Sequence, residues 1–385
     1  MLSSHIAPDF LMEFSGCFSF ASFESSWCSS GLACEPVTAC EYCPVMWNLT
    51  ADNARQYLID AGHLPATTQA VVKPLAWGVS NVVLRVDPEQ GSPLVLKQSQ
   101  PQLRTKIDWF SRCERIYREA DVLRALATRL PVGAVPAVRF EDRPNYILGL
   151  EAIRPDHVVW KQQLLAGELD EAVAARLGWL LGLMHGTTAG HPELLPDSED
   201  WSLFDELRID PFYRFLARRD AELVPMVDRL LDEMSRHRVC LVHADFSPKN
   251  VLVHPGGVAL VDFETGHWGD PAFDLGFFLA HLLLKSLRPA APPADWQRLI
   301  DRFWSAYCDT LQGIGTFTDM KPGVTSSRAV WHLAACLQAR IDGKSPVDYL
   351  TEAWQAEFVR TLTRRWLADP PDNLAVACTA FLHRE

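Results

Sequence analysis

The sequence predicts an α+β protein with two lobes, a small β-rich N-terminal lobe and a larger, mainly helical C-terminal lobe. Short apolar and β-branched runs between turn formers fill residues 70–152, which indicates strands. From about residue 155 onward, apolar residues recur with the 3.6-residue period of amphipathic helices. The 385 residues are 48% apolar and 22% charged, which is enough to bury a substantial core. We place the lobes at residues 46–153 and 154–385.

The first 45 residues differ from the rest of the chain. They are rich in Ser, Cys and Phe and contain no Lys or Arg. Because their apolar residues follow neither the period of a helix nor that of a strand, we predict a poorly ordered extension. Met46 offers an alternative start, which leaves open whether residues 1–45 belong to the native protein. Because the first basic residue is Arg55, we expect neither a secretory signal nor a transit peptide. Cys40 and Cys43 have CxxC spacing without a second pair, so we expect incidental cysteines in a reduced, cytoplasmic protein.

The elements of the N-terminal lobe follow from local signals. Gly62 ends a predicted helix, and a turn at residues 87–91 separates two strands. Ile116, Ala120 and Leu123 share one face of a helix inserted into the sheet. The predicted elements are a helix at 49–62, strands at 70–77, 82–86 and 94–97, a helix at 109–129, and strands at 137–140 and 146–152.

The C-terminal lobe is predicted to be helical around one hairpin. Two apolar runs flank Pro255-Gly256-Gly257, which indicates a hairpin with a three-residue loop. If His254 faces Val258 across that loop, Asn250 lies opposite Asp262. The predicted elements are helices at 172–189 and 210–236, the hairpin at 251–262, and helices at 274–287, 295–311, 327–339 and 351–367.

This hairpin carries the clearest chemistry in the sequence. Asn250 and Asp262 supply hard oxygen ligands of the kind that Mg²⁺ prefers. Asp245 lies five residues before Asn250, in the loop that enters the hairpin. Phosphoryl transfer from ATP requires a carboxylate beside the nucleophile and oxygen ligands for the metal that neutralises phosphate charge. The spacing therefore predicts a phosphoryl-transfer site.

The motif His243-Ala244-Asp245 with Asn250, followed by Asp262-Phe263-Glu264 and residues 269–276, resembles the aminoglycoside phosphotransferase / choline kinase family. These proteins are small-molecule kinases with a protein-kinase-like fold. Ala244 and Glu264 stand where protein kinases carry Arg and Gly, which favours the small-molecule branch. The resemblance covers roughly residues 65–350 and includes some likeness to methylthioribose kinase.

The resemblance implies roles for residues of the N-terminal lobe. Lys97 and Ser80 would contact ATP phosphates, with Ser80 in the loop Gly78-Val79-Ser80-Asn81. Glu119 would orient Lys97, and Glu114 is the alternative partner. The cofactor-binding residues implied in this way are Ser80, Lys97, Glu119, and, at the adenine-binding connection between the lobes, Glu151 and Ile153.

For the C-terminal lobe, the resemblance implies that Asp245 is the catalytic base or the group that orients the acceptor hydroxyl. Asn250 and Asp262 would bind Mg²⁺. Asp274 looks like the N-cap of its helix, and in the family the matching residue braces the catalytic loop. The supporting residues are His243, Asp274 and Glu264. For Glu264, a metal contact and a salt bridge are both possible roles.

The predicted function is therefore an ATP- and Mg²⁺-dependent transferase that phosphorylates a hydroxyl group of a small molecule. A nucleotide-binding pseudokinase scaffold is the alternative, and a protein kinase is less favoured, because only nine residues separate Glu264 from Asp274. The acceptor stays open among aminoglycosides, amino alcohols and sugars. A cationic acceptor would suit aromatic side chains such as Trp160, Trp268 and Trp331.

The charge and hydropathy of the chain limit its partners. The formal net charge of -12 argues against nucleic acid as a partner. No apolar run reaches the length of a membrane span, so we expect no membrane partner. The oligomeric state and any role in antibiotic resistance cannot be predicted from these residues.

Overall fold

The computed structural model describes residues 47–75, 80–315 and 320–384. The predicted extension, the Cys40 and Cys43 pair, and Gly78 and Val79 lie outside the described residues. Within them, an antiparallel sheet is followed by a mainly helical region that contains one small hairpin. This arrangement confirms the α+β prediction.

The N-terminal sheet has five antiparallel strands with two associated helices. The hydrophobic side chains of the first helix, Tyr57 and Leu58, pack with Leu84, Val86 and Leu96 of the sheet to form a small core. The second helix belongs instead to the large core that continues into the C-terminal lobe. The elements are α1 (Ala54–Asp60), β1 (Ala70–Pro74), β2 (Asn81–Pro88), β3 (Leu94–Ser99), α2 (Arg115–Ala127), β4 (Val138–Asp142) and β5 (Ile147–Glu151), with the strands paired in the order β1-β2-β3-β5-β4.

The C-terminal lobe surrounds two small antiparallel sheets with helices. Its strands are β6 (Val158–Val159), β7 (Cys240–Val242), β8 (Val251–His254), β9 (Gly257–Leu260) and β10 (His267–Gly269), paired as β6-β8-β9 and β7-β10. Its helices are α3 (Trp160–Ala166), α4 (Glu171–Thr188), α5 (Ser202–Phe204), α6 (Phe215–Arg219), α7 (Val224–Arg236), α8 (Pro271–Ser286), α9 (Pro293–Ile314), α10 (Pro322–Asp342), α11 (Ala353–Ala368) and α12 (Leu374–His383).

Two helix pairs in this lobe approach so closely that glycine is required at the crossing. A Cβ atom on Gly178 of α4 would lie 2.1 Å from the carbonyl oxygen of Phe303 in α9. A Cβ atom on Gly276 of α8 would lie 2.6 Å from the backbone nitrogen of Leu333 in α10. Because such distances are far inside van der Waals contact, larger side chains here would push the helices apart.

The structure corrects two helix predictions. The helix expected at 210–236 is broken at Asp220, whose extended backbone (φ -139°, ψ 103°) ends α6 before α7 begins. Its first part belongs to a π-helical segment (Asp205–Arg214) that contains Pro211. The helix expected to begin at Asp274 is α8, which begins at Pro271. Its N-cap is Asp270, whose carboxylate accepts from the Ala272 amide at 2.9 Å.

None of the helices in the described part of the chain is long and apolar enough to cross a membrane. The five cysteines in the same residues, Cys113, Cys240, Cys308, Cys336 and Cys378, are free thiols.

Candidate active site

A cavity lies between the N-terminal sheet and the hairpin formed by β8 and β9. Its walls are apolar on both sides, with Val83 and Val95 from the sheet and Leu252 and Val261 from the hairpin region. An apolar cavity of this kind is suited to an aromatic ring system. The polar residues that line it are Ser80, Asn81, Arg85, Lys97, Glu119, Glu151, His157, Lys249, Asn250 and Asp262.

Three of these side chains form a buried ionic group, which we call the nucleotide cluster: Lys97, Glu119 and Asp262. The Lys97 ammonium lies 2.6 Å from Glu119 Oε2 and 2.9 Å from Asp262 Oδ1. Lys97 comes from β3 and Glu119 from α2, so the inserted helix supplies the partner that the sequence favoured over Glu114. Asp262 reaches the same ammonium from the segment that follows the hairpin.

The charges of the nucleotide cluster depend on one another. Burial alone would lower the pKa of Lys97, but Asp262, Glu119 and Glu264 outweigh it and raise that pKa above its usual range. Burial would likewise raise the pKa of Asp262, but Lys97 and Lys249 hold it well below its usual range. Burial raises the pKa of Glu119 to about 7, against the lowering effect of Lys97. Lys97 and Asp262 are thus a stable ion pair at neutral pH.

The hairpin register differs by one residue from the prediction. His254 pairs with Gly257 rather than Val258, because the loop contains two residues and Gly257 adopts a left-handed φ of +131°. The Val261 amide donates to the Asn250 carbonyl at 3.1 Å, so Asp262 lies one position beyond the paired residues. It is nevertheless directed into the cavity alongside Asn250, because its own φ is +72°.

Asp245 is buried beside the cavity and contacts three polar side chains. Arg208 lies 2.9 Å from Oδ1, and Lys249 lies 2.8 Å from Oδ2. Asn250 Nδ2 also donates to Oδ2 at 2.8 Å. Burial opposes ionisation of Asp245, but Arg208 and Lys249 lower its pKa below the usual value. The structure therefore holds Asp245 as a carboxylate.

Asp274 holds the backbone of the loop that carries Asp245. Its carboxylate accepts from the His243 amide at 2.7 Å and from the Ala244 amide at 2.8 Å. The buried His185 ring contacts the same carboxylate at 3.2 Å. Ala244 has a left-handed φ of +58°, a conformation that costs a non-glycine residue free energy and persists only when its surroundings enforce it. Asp274 supplies that constraint.

His243 is packed in the core rather than exposed to the cavity. Its ring stacks on Phe263 with the centroids 4.2 Å apart, and Nδ1 accepts from the Asp245 amide at 3.3 Å. Burial lowers its pKa, so the ring is neutral at physiological pH. These contacts fit the supporting role that the sequence suggested for this histidine.

Glu264 joins the two lobes through a salt bridge, one of the two roles that the sequence left open. Its carboxylate accepts from Ser80 Oγ at 2.6 Å, from Asn81 Nδ2 at 2.8 Å and from Arg115 Nε at 3.2 Å. Arg115 also donates to the Ser80 and Gln100 carbonyls, which ties α2 to the same loop. The Ser80 hydroxyl thus has a carboxylate partner, and its contact with phosphate stays a prediction.

The connection between the lobes lies at the edge of the cavity. Both Glu151 and Ile153 line it, and their contact with adenine stays a prediction. The Ile153 carbonyl accepts from Arg85 Nη1 at 2.8 Å, and that arginine also pairs with Asp87. The side chain of Glu151 is exposed and extends towards Arg139.

The donors suited to a metal are few. Asn250 donates twice to Asp245 through Nδ2, and no described side chain or amide donates to its Oδ1. In residues 47–75, 80–315 and 320–384, no three His, Cys, Asp or Glu side chains gather in the manner of a metal site. Asn250 and Asp262 therefore fit a cation that takes most of its ligands from phosphate and water, as Mg²⁺ does.

Three polar contacts of this site were missed from the sequence. Lys249 lies four residues after Asp245, a spacing that could have indicated the contact. Arg115 lies 149 residues before Glu264 and Arg208 lies far from Asp245 in the sequence, so no local pattern indicates either contact. They are brought to the site only by tertiary packing.

The tryptophans considered for a cationic acceptor do not lie open to the site. Trp160 is buried and stacks on Phe278, and Trp268 is buried with its indole donating to the Arg238 carbonyl. Arg229 covers the ring of Trp331 at 4.8 Å. These three tryptophans therefore give no support to a cationic acceptor.

The motif, the cavity and the fold agree with the comparisons to known proteins. A sequence model described as "Phosphotransferase enzyme family" matches residues 71–317, well over half of the chain. The chain belongs to this family. The family resemblance expected from the catalytic motif is therefore confirmed.

Two methylthioribose kinases illustrate the relatives of this phosphotransferase-family protein. One from Oryza sativa subsp. japonica is 28% identical, and the match covers 58% of this chain and 58% of that protein's length. Another from Cronobacter sakazakii is 26% identical over 68% of this chain and 75% of its own length.

A solved structure supports the fold. An amicoumacin kinase in complex with AMP-PNP, Ca²⁺ and Ami superposes with a TM-score of 0.51 and 16% identity, covering 83% of this chain and 95% of that one. The protein-kinase-like bilobal fold predicted for the chain is confirmed.

Proposed function

We propose that this family member is an ATP- and Mg²⁺-dependent phosphotransferase that acts on a hydroxyl group of a small molecule. The observation that carries the proposal is the placement of Asp245 and Asn250 beside the nucleotide cluster, at the polar end of one apolar cavity. Family membership supports the same reaction class. The expected cytoplasmic location stays a prediction.

The cavity supplies the parts that ATP requires. Its apolar walls suit the adenine ring, and the connection at Glu151 and Ile153 offers backbone groups for the ring edge. Lys97 would contact the phosphates, since it is the buried cation at the polar end and Glu119 fixes its position. The complex of the amicoumacin kinase with AMP-PNP supports this use of the fold.

A Mg²⁺ ion would be held by Asn250 Oδ1 and by the Asp262 carboxylate, with phosphate oxygens completing its shell. When bound, the ion would neutralise the charge that develops on the transferred phosphoryl group. Asp262 is ionised over the physiological range, because Lys97 lowers its pKa. Asn250 is pre-oriented by its two hydrogen bonds to Asp245.

Asp245 would accept the hydrogen bond of the acceptor hydroxyl and orient its oxygen toward the γ-phosphorus. A bond forms between this oxygen and phosphorus, the bond from phosphorus to the bridging oxygen of ADP breaks, and the hydroxyl proton leaves by way of Asp245. Because its pKa is lowered, Asp245 is a weak base, and orientation is the larger part of its role. The curated relatives point to sugar-type acceptors.

The test is phosphoryl transfer from Mg²⁺-ATP to a panel of sugars, amino alcohols, aminoglycosides and hydroxy acids. Asp245→Ala should abolish transfer but keep ATP binding, whereas Asp228→Ala on the exposed face of α7 should retain both. Asp262→Ala should remove metal-dependent turnover. ATP binding without transfer to any acceptor, unchanged in Asp245→Ala, would favour the scaffold alternative, and absence of ATP binding would refute both.

A further inference from the structure

A group of basic residues lies near Asp245, and none of them lines the cavity assigned to ATP. We call it the basic cluster: Lys161, Arg208, Lys285 and Arg340, together with Tyr349. Arg208 connects it to the site through its 2.9 Å contact with Asp245. On α8, Phe277, His281 and Lys285 follow one another at four-residue spacing and so share a face.

That face of α8 connects Arg208, which contacts Asp245, with Lys285 through a row of side-chain contacts. The Arg208 guanidinium lies 5.6 Å from the Phe277 ring, and the Phe277 ring lies 4.8 Å from that of His281. Lys285 follows one turn later and donates to the His281 carbonyl at 3.0 Å. The cluster is therefore continuous with the group that would orient the acceptor.

Lys285 is a buried basic group whose charge is poorly compensated, since Asp348 is the carboxylate that acts on it and is 86% exposed. Lys285 itself is 2% exposed, and no carboxylate in the described part of the chain lies within 4.0 Å of its ammonium. Its nearest electron-rich group is the Tyr349 ring, whose centroid lies 5.1 Å from Nζ. Burial, then the charges of Lys161 and Arg340, lower the pKa of Lys285 far below its usual value. An ammonium in this position needs an anion to remain charged.

Two neighbouring polar atoms also have no partner. Both the Tyr349 hydroxyl and Arg340 Nε are buried without a hydrogen bond. Arg340 contacts the Ser345 carbonyl through another nitrogen, so its guanidinium is only partly satisfied. Buried polar atoms without partners are costly, and their convergence on one cluster indicates a ligand that would satisfy them.

The cluster reaches the surface beside the catalytic loop. Lys161 is the partly exposed member of the cluster, with 31% of its side chain accessible to solvent. Its ammonium lies 5.7 Å from the Tyr349 ring centroid. Helix α3, which carries Lys161, packs on the turn at 248–250. The carboxylate of Asp348 lies 3.9 Å from Lys161 but is 86% exposed, so it contributes little compensation.

We propose that the acceptor of this phosphotransferase is an anionic hydroxy compound, whose carboxylate or phosphate oxygens bind Lys285, Arg340 and Tyr349 while its hydroxyl reaches Asp245. This inference rests on the proposed function for the reaction but specifies a substrate class that the relatives do not share. Aminoglycosides and amino alcohols are cations, and the cluster would repel them.

The first experiment compares matched acceptors of different charge with saturating Mg²⁺-ATP. The pairs are glycerol with glycerate and glycerol 3-phosphate, and ribose with ribonate and ribose 5-phosphate, so that the carboxylate and phosphate arms are separate. The anionic member should show kcat/KM about tenfold or more above its neutral partner. Preference for the neutral member of both pairs would overturn the inference and leave the phosphotransferase proposal intact.

The second experiment measures the binding site directly, whether or not an acceptor is turned over. With Mg²⁺-ADP blocking the nucleotide site, titration calorimetry with inorganic phosphate and with malonate should give saturable binding. Lys285→Met should weaken it about tenfold or more, and Lys321→Met, at the exposed start of α10, should leave it unchanged. Absence of binding, or equal binding by both variants, would overturn the inference. Failure to bind Mg²⁺-ADP would instead refute the proposed function.

A third variant guards against misfolding of Lys285→Met. Tyr349→Phe removes only a hydroxyl that has no partner, so it should not lower the thermal midpoint of the ligand-free protein. The same variant should weaken binding of the two oxyanion probes severalfold. A lower midpoint combined with unchanged binding would assign the hydroxyl a structural role and contradict the proposal.

Discussion

The nucleotide cluster and the basic cluster both lie near Asp245 and differ in how their charges are compensated. Lys97 has two carboxylates within 2.9 Å, so its charge is more than balanced by the protein. Lys285 is also buried, but in the described part of the chain its ammonium contacts a backbone carbonyl and an aromatic ring rather than a carboxylate. The first arrangement is complete and ready to receive phosphate with a metal ion, whereas the second is complete only when an anion binds.

The largest expected effect comes from the residue that lies near both clusters. Asp245→Asn keeps the side-chain shape but removes the charge that orients the hydroxyl, so kcat should fall by about 10²–10⁴-fold. The KM for ATP should change little, since Asp245 does not belong to the nucleotide cluster. Steady-state kinetics would measure both constants, and a kcat within threefold of wild type would contradict the assignment.

The next prediction applies one substitution to both buried lysines. Lys97→Met leaves Glu119 and Asp262 as uncompensated carboxylates and should lower the free energy of unfolding by about 3–5 kcal/mol. Lys285→Met removes a buried amino group that has no carboxylate within 4.0 Å in the described residues, so it should be neutral or stabilising. Urea unfolding followed by tryptophan fluorescence would measure both variants. If both variants lost the same free energy of unfolding, the different surroundings of the two lysines would have no effect on stability.

A pH titration tests the core that supports the basic cluster. His332 contacts the Tyr213 hydroxyl at 2.9 Å, next to the segment that carries Arg208, and burial lowers its pKa to about 4. Because the unfolded chain binds this proton more tightly, stability should be full above pH 6.5 and fall as the pH drops toward 4. Between pH 6.5 and 5 the share of the loss that comes from His332 should be roughly 1.5 kcal/mol. The buried His243, His267 and His281, whose pKa values are also lowered by burial, add to the same loss. His332→Gln should therefore make the slope shallower by that share, and an unchanged slope would assign the loss to the other groups.

The smallest effect on stability is expected at Glu264, because several side chains donate hydrogen bonds to its carboxylate. Ser80→Ala removes one of the three side chains that donate to Glu264 and should cost about 1 kcal/mol of stability. The matched change Ser235→Ala, on the exposed end of α7, should cost less. Thermal unfolding would compare the two. A cost of several kcal/mol at Ser80 would show that Asn81 and Arg115 cannot hold Glu264 alone.

The sequence was most informative where chemistry depends on contiguous spacing. Asp245, Asn250 and Asp262 could be placed together because the loop and hairpin bring them within reach over 18 residues. The register was still wrong by one, because the number of loop residues depends on whether Gly257 belongs to the loop or to the strand. The Lys97 and Glu119 pair was found from the order of elements rather than from any local signal.

The basic cluster could not be predicted for a physical reason. Lys161, Arg208, Lys285, Arg340 and Tyr349 come from separate segments, and no local spacing links them to one another. Arg208 lies in a π-helical segment that contains Pro211. Such residues meet only through helix packing, which sequence periodicity does not specify.

The salt bridge of Glu264 bears on which lobe the segment at residues 262–264 would move with. Residues 262–264 follow the catalytic loop in sequence, yet Glu264 is fastened to Ser80, Asn81 and Arg115 of the N-terminal lobe, and Asp262 to Lys97. A rotation that opens the cleft must either break all these bonds or carry this segment along with the sheet. If the cleft opens with these bonds intact, the backbone must therefore change conformation between the hairpin and Asp270 as well as at the connection near Ile153.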